Sequence, residues 1–73
     1  MSECERLGNI VNGYQRAHGI TDEEMAVIIG RTRATYQRRK KEPETYTVEE
    51  LLRCAKKFHV TLKEMMNGKG LYE

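Results

Sequence analysis

ITDEEMAVIIGRTRATYQRRKK, residues 20–41, reads as two short helices separated by three residues. Thr21-Asp22-Glu23-Glu24 is a capping box: the Thr21 hydroxyl accepts from the amide three residues on, and Glu24 reaches back to the cap. The helix opened there turns Met25, Ala26 and Ile29 inward and stops at Gly30, a residue that tolerates a positive backbone dihedral. At about nine residues it would not persist alone in water, so packing must hold it. Thr32 caps a following helix that runs to about Lys41. A connection of only Gly30-Arg31-Thr32 forces the two helices to cross steeply. Ala26, one turn before the glycine, is small enough to let the second helix approach.

The flanks carry the same helical signature. Before this pair, Leu7, Ile10, Val11 and Tyr14 share one face of a helix expected over residues 3–17, with Gly19 at its end. After it, Pro43 ends the third helix, and residues 42–46 read as a loop. Thr47 with Glu50 and Thr61 with Glu64 repeat the capping box and open two more helices. The first of these is expected to bury Val48, Leu51, Leu52, Ala55 and Phe58, and the second carries Leu62, Met65 and Met66. The fold class is therefore all-α, a five-helix bundle. One domain is expected over residues 1–67, with a short tail over 68–73.

Length and composition exclude several functions. Seventy-three residues form one small domain with a limited core, which leaves little room for a dehydrated concave pocket. No nucleophile–base pair is legible, so neither an enzyme nor a small-molecule substrate is expected. Cys4 and Cys54 make no disulfide framework, and with the absence of a signal-like run they point to a reducing cytoplasm. Cys54 and His59 are five apart, on different faces, and neither they nor His18 has zinc-finger spacing, so no metal or other cofactor is expected. The longest unbroken apolar run, Met25 to Ile29, is too short for a membrane span.

Net charge is only +2, but its distribution is uneven. Between Arg31 and Lys41 lie six basic residues and no acid, while the rest of the chain carries seven bases and eleven acids. A positive stripe on a mildly negative body is the footprint of a polyanion-binding face. At about 100° per residue, Arg33, Ala34, Gln37, Arg38 and Lys41 share one side of the third helix, with Tyr36 turned inward. An α-helix fits the DNA major groove, where Arg pairs with guanine and Gln with adenine. Arg33, Gln37 and Arg38 are therefore candidate base readers, with Ala34 among them, allowing close approach or meeting a thymine methyl. Thr32, Thr35, Arg39, Lys40 and Lys41 are candidate phosphate contacts, which position without specifying.

Ile20 to Gly30, followed by Arg33, Tyr36 and Arg38, resembles the helix-turn-helix of the lambda repressor and Cro (Xre-like) family. Leu51 to Leu62 is similar to that family's fourth helix and the start of its fifth. The resemblance spans about residues 7–67, and the Lys-Lys-Glu-Pro-Glu-Thr-Tyr-Thr segment looks like those of small phage or prophage regulators. It implies a lambda-repressor-like five-helix fold in the bacterial cytoplasm. It also implies a homodimer that binds a palindromic operator in double-stranded DNA and represses transcription. Three residues depart from the pattern. Asp22 stands where a Gln near phosphate is usual, and Arg31 and Arg39 stand at usually apolar positions, where each must snorkel or pair with an acid. Met65, Met66, Leu71 and Tyr72 form a candidate dimer seam, against the alternative of a tail packed on its own domain. Two other roles fit the same fold: an autoregulating antitoxin, and a protein-interaction module without DNA binding, which Asp22 motivates.

Overall fold

Each of the five helices begins on a hydroxyl. In the computed structural model, which describes residues 2–71, Ser2, Thr21, Thr32, Thr47 and Thr61 each accept from the amide three residues on. At Thr21, Thr47 and Thr61 the cap's own amide donates in return to the Glu24, Glu50 and Glu64 carboxylates and completes the expected box. Each cap is worth about 1 kcal/mol, a large contribution for helices too short to nucleate alone. The helices are α1 Glu3–Ala17, α2 Asp22–Ile29, α3 Arg33–Lys41, α4 Val48–Lys57 and α5 Leu62–Met66. No strand occurs among the described residues. The segment expected as a loop contains a single 3₁₀ turn, Pro43–Thr45, with the proline at its first position.

Packing is centred on α2, which lies against both α3 and α4, while α1 closes over α3, the 3₁₀ turn and α5. Leu7, Ile10, Val11 and Tyr14 from α1 meet Met25, Ala26 and Ile29 from α2 in one core. Tyr36 is the one buried residue of α3, fully enclosed, so a single aromatic anchors the basic helix to the body. The Tyr14 ring stacks on Phe58 with centroids 4.8 Å apart. Gly8 is needed for close approach: a Cβ there would sit 2.6 Å from Pro43 Cγ, so α1 and the 3₁₀ turn touch backbone to ring.

Two expectations for α4 are corrected. Val48 and Leu52 are not buried; they are 65% and 49% exposed. The inward face is instead Glu50, Cys54, Ala55 and Phe58, with Leu51 partly covered. Glu50, Cys54 and Phe58 are four residues apart, on one stripe, and that stripe meets the rest of the core. Burial and the nearby Glu50 carboxylate push the Cys54 thiol up to about 12, so it is an unreactive core residue.

Residues 68–71 fold back onto the domain. Gly68, Lys69 and Leu71 close turns through bonds to Met65, Glu64 and Gly68, and the Tyr14 hydroxyl donates to the Lys69 carbonyl. Leu71 covers Gly13, its Cδ1 lying 3.1 Å from where a Cβ would be.

Candidate nucleic-acid interface

The turn between α2 and α3 depends on Gly30, whose φ of +74° is left-handed. Its conformation lets the Arg31 amide reach back to the Ala26 carbonyl at 2.9 Å, which closes α2 and releases the chain toward Thr32. The Arg31 side chain then runs to α4, where Nε donates to Glu50 Oε2 at 2.8 Å. Arg39, from the far end of α3, donates to the same carboxylate through Nε at 3.0 Å and Nη2 at 3.3 Å. One buried acid thus serves both arginines that occupy usually apolar positions. Glu50 is only 1% exposed, and burial alone would push its carboxyl up. The bonds from Arg39, the Thr47 amide and Arg31 outweigh burial and hold it at about 2. Helix α3 is therefore tied to the body at its entrance and at its far end by one charged cluster.

This cluster changes the place of one predicted site residue. Arg39, expected among the phosphate contacts, is 15% exposed and spends its guanidinium on Glu50. It is mostly covered and committed to Glu50, which sets it apart from the exposed bases of α3. Arg31 is 46% exposed and is the more accessible of the two.

The remaining residues of α3 sort as their helical spacing requires. Arg33, Ala34, Gln37, Arg38 and Lys41 are all exposed. A shallow depression brings Ala34, Gln37, Arg38, Lys40 and Lys41 together beside Asp22 and Glu42. Arg33 lies 3.4 Å from Glu23 and Arg38 3.3 Å from Glu42, both pairs well exposed. Such pairs contribute about 0–1 kcal/mol and exchange partners readily. Lys41 has no ion pair among the described residues. Thr32 is exposed and Thr35 half-buried, and the Thr32 hydroxyl both caps α3 and bonds the Thr35 hydroxyl.

Asp22 does not stand free against this face. Gln15 Nε2 donates to its Oδ1 at 2.8 Å, Lys40 Nζ reaches Oδ1 at 3.2 Å, and Gln37 Nε2 donates to Oδ2 at 3.3 Å. The Gln15 bond, opposed by partial burial and aided by Lys40 and Gln37, keeps the Asp22 carboxyl below its usual range. Gln15 is itself held from the core: Tyr36 Oη donates to its Oε1 at 2.5 Å, and its Nε2 also donates to the Ile20 carbonyl. Lys40 lies 5.8 Å from the Tyr36 ring centroid, a cation–π contact. Neither Gln15 nor Glu50 was expected at the site. Glu50 was legible in principle, as the acid four residues before Cys54 on the inward stripe. Gln15 gives no local signal.

Of the candidate dimer seam, one residue changes place. Met65 is fully buried in its own core and is corrected to a core residue. Met66 and Leu71 are half-buried and pack on the same core. Tyr72 lies outside the described residues. No group of three metal-ligating side chains occurs among the described residues, and no described helix is long and apolar enough to cross a membrane.

Neither the curated proteins nor the solved structures provide a match to this chain. The model of the antitoxin Xre-like helix-turn-helix domain matches residues 15–56. That span is more than half of the 73 residues and runs from Gln15 through α2, α3 and Glu50 nearly to the end of α4. It contains the Gly30 turn, the Glu50 cluster, Asp22 and the whole exposed face of α3. The chain belongs to the antitoxin Xre-like helix-turn-helix domain family, a family of DNA-binding regulators.

Proposed function

We propose that the chain is a sequence-specific regulator that inserts α3 into the major groove of double-stranded DNA and acts as a homodimer on a palindromic operator. The observation that carries this reading is the exposed face of α3, which gathers Ala34, Gln37, Arg38 and Lys41 on one side of a helix anchored by Tyr36. Arg33, Gln37 and Arg38 would read base edges, with Ala34 at the groove floor. Thr32, Thr35, Lys40 and Lys41 would meet phosphate, Thr32 beside the amides of a helix N-terminus. Two such helices about 34 Å apart would read half-sites one DNA turn apart.

Among the regulatory roles that fit this fold, the autoregulating antitoxin is favoured by the family match over a phage or prophage repressor. In that role the protein would occupy the promoter of its own gene and exclude polymerase. The module without DNA binding loses support, because the acid that motivated it is turned toward Gln15, Gln37 and Lys40.

The test is a gel-shift titration on the upstream DNA of the gene and on unrelated duplex, repeated across salt concentrations. Log affinity is expected to fall linearly with log salt, with tighter binding to the upstream fragment. Absence of binding even at low salt would overturn the reading.

A further inference from the structure

We infer that Asp22 is a specificity-setting residue: it fixes the orientation of the Gln37 amide, so that Gln37 accepts a hydrogen bond from the exocyclic amino group of adenine or cytosine in preference to pairing with guanine or thymine. The inference rests on the DNA-reading role proposed for α3.

A free glutamine on a recognition helix is ambiguous. Its amide can turn either end outward, presenting a carbonyl to a base donor or an NH₂ to a base acceptor. In the major groove the two choices select different bases. Adenine N6 and cytosine N4 donate, whereas guanine O6, guanine N7 and thymine O4 accept. Whatever removes the ambiguity therefore selects the base.

Asp22 removes it. An ionised carboxylate only accepts, so the group turned to Oδ2 must be the Gln37 NH₂, at 3.3 Å. One N–H of that group is committed to Asp22, and with the NH₂ held there the carbonyl is the acceptor the amide has left for a base, beside its second N–H. Turning the amide over would set that carbonyl against the carboxylate, two acceptors facing each other.

The orientation of Asp22 is determined in turn by the interior. Gln15 donates from Nε2 to both Asp22 Oδ1 and the Ile20 carbonyl, and its Oε1 accepts from the Tyr36 hydroxyl. A flipped Gln15 would set its oxygen against the Ile20 carbonyl and against Asp22, so this amide has one orientation as well. Tyr36 is fully buried and Asp22 three-quarters buried, so the chain from Tyr36 through Gln15 and Asp22 to Gln37 begins in the core and ends on the exposed face. Asp22 acts here as a positioning residue and need not touch DNA.

A merely structural role and this one differ in what Asp22→Ala does. Loss of a structural contact lowers affinity for all sequences. Release of the Gln37 amide blurs one base pair and, by removing a negative charge beside the duplex, leaves overall affinity equal or higher. The experiment is selection from a random duplex library with the full chain, comparing wild type, Gln37→Ala, Asp22→Ala and Asp22→Asn, each checked for native helicity.

Gln37→Ala identifies the column that Gln37 reads. In the wild type that column is expected to favour adenine or cytosine by about 10-fold, falling to about 3-fold or less in Asp22→Ala while the other columns hold. Asp22→Asn, whose amide can itself donate or accept, is expected to blur the same column. Three results overturn the inference: a wild-type column of guanine or thymine, a column unchanged in both Asp22 variants, or a Gln37→Ala logo identical to wild type. Failure of the wild type to enrich any sequence would instead refute the DNA-reading role, and this inference with it.

Discussion

Replacing Glu50 by glutamine removes one charge from the centre of the structure and keeps nearly all the shape. The new amide oxygen still accepts from the Thr47 amide, so the cap of α4 survives and the loss is that of the ion cluster. Its size follows from the carboxyl itself. An ordinary glutamate titrates near 4.5, and Arg39, the Thr47 amide and Arg31 hold this one at about 2 against its burial. At ~1.4 kcal/mol per pH unit, that difference corresponds to about 3 kcal/mol of stability. The larger share belongs to Arg39, which is 15% exposed, because Arg31 is close to half exposed and screened by water. For a domain of this size, with a total of roughly 5 kcal/mol, such a loss leaves a marginal fold.

Urea unfolding followed by far-ultraviolet circular dichroism measures the loss, as a midpoint lower by about 2–3 M for a slope near 1 kcal/mol/M. The pH dependence is the sharper check. The folded carboxyl lies below the unfolded one, so its contribution is complete above about 4.5 and is lost as pH falls toward about 2. The gap between wild type and Glu50→Gln should therefore close over that window. Asp22, Glu24 and Glu64 are also held below their usual range, but they change equally in both proteins and cancel in the difference. Variants within ~0.5 kcal/mol at neutral pH, or a gap that stays constant down to about pH 2, would refute the assignment of Glu50 as the tie between the turn and α4.

Arg33→Ala should cost about 1–3 kcal/mol of operator affinity and blur one base pair in a gel-shift titration, without lowering Tm, because its pair with Glu23 is exposed. Lys41→Ala should weaken all sequences alike and reduce the salt slope by about 1; an unchanged slope would remove Lys41 from the phosphate set. Gly8→Ala places a methyl against the stiff Pro43 ring, and crowding should outweigh the gain in helix propensity by about 1 kcal/mol. A raised Tm would show that the 3₁₀ turn simply moves aside. His59→Gly should stabilise by about 0.5–1 kcal/mol, because His59 sits at φ +58° in the left-handed position that ends α4, a conformation costly for a side-chain-bearing residue.

The helix starts were legible because their cause is local. A hydroxyl and a glutamate three residues on specify a helix N-terminus whatever surrounds it, and all three capping boxes formed. Tyr36 was legible as the inward anchor because every neighbour on α3 is polar or small. The inward face of α4 does not follow apolar character: Val48 and Leu52 are exposed and Glu50 is buried. Leu52 lies about 100° from Leu51 along the helix, off the buried arc, while Glu50 is drawn inside by two arginines from other elements. Arg31 and Arg39 required an acid partner, and the need was visible in the sequence. Which acid answered it depended on how α3 and α4 both pack on α2, a tertiary fact. Leu71 is similar: it packs on its own domain because Gly13, far away in sequence, has no side chain to keep it off.

The same tertiary arrangement separates the charges of residues 31–41 by how easily each can be given to a polyanion. Every base in that stretch except Lys41 faces an acid: Glu50 for Arg31 and Arg39, Glu23 for Arg33, Glu42 for Arg38 and Asp22 for Lys40. These acids relieve the repulsion that six like charges would otherwise impose on a nine-residue helix and its turn. They do not bind alike. The pairs of Arg33 and Arg38 are exposed on both sides, so a phosphate or a guanine can replace the glutamate at little cost. The Arg39–Glu50 pair is far costlier to exchange, because moving Arg39 out would leave a buried carboxylate with only the half-exposed Arg31 and the Thr47 amide. Lys40, one-third exposed and shared between Asp22 and the Tyr36 ring, lies between these limits. The interior pairs thus hold α3 in place, while the exposed pairs leave Arg33 and Arg38 ready to change partner, as the base-reading role proposed for them requires.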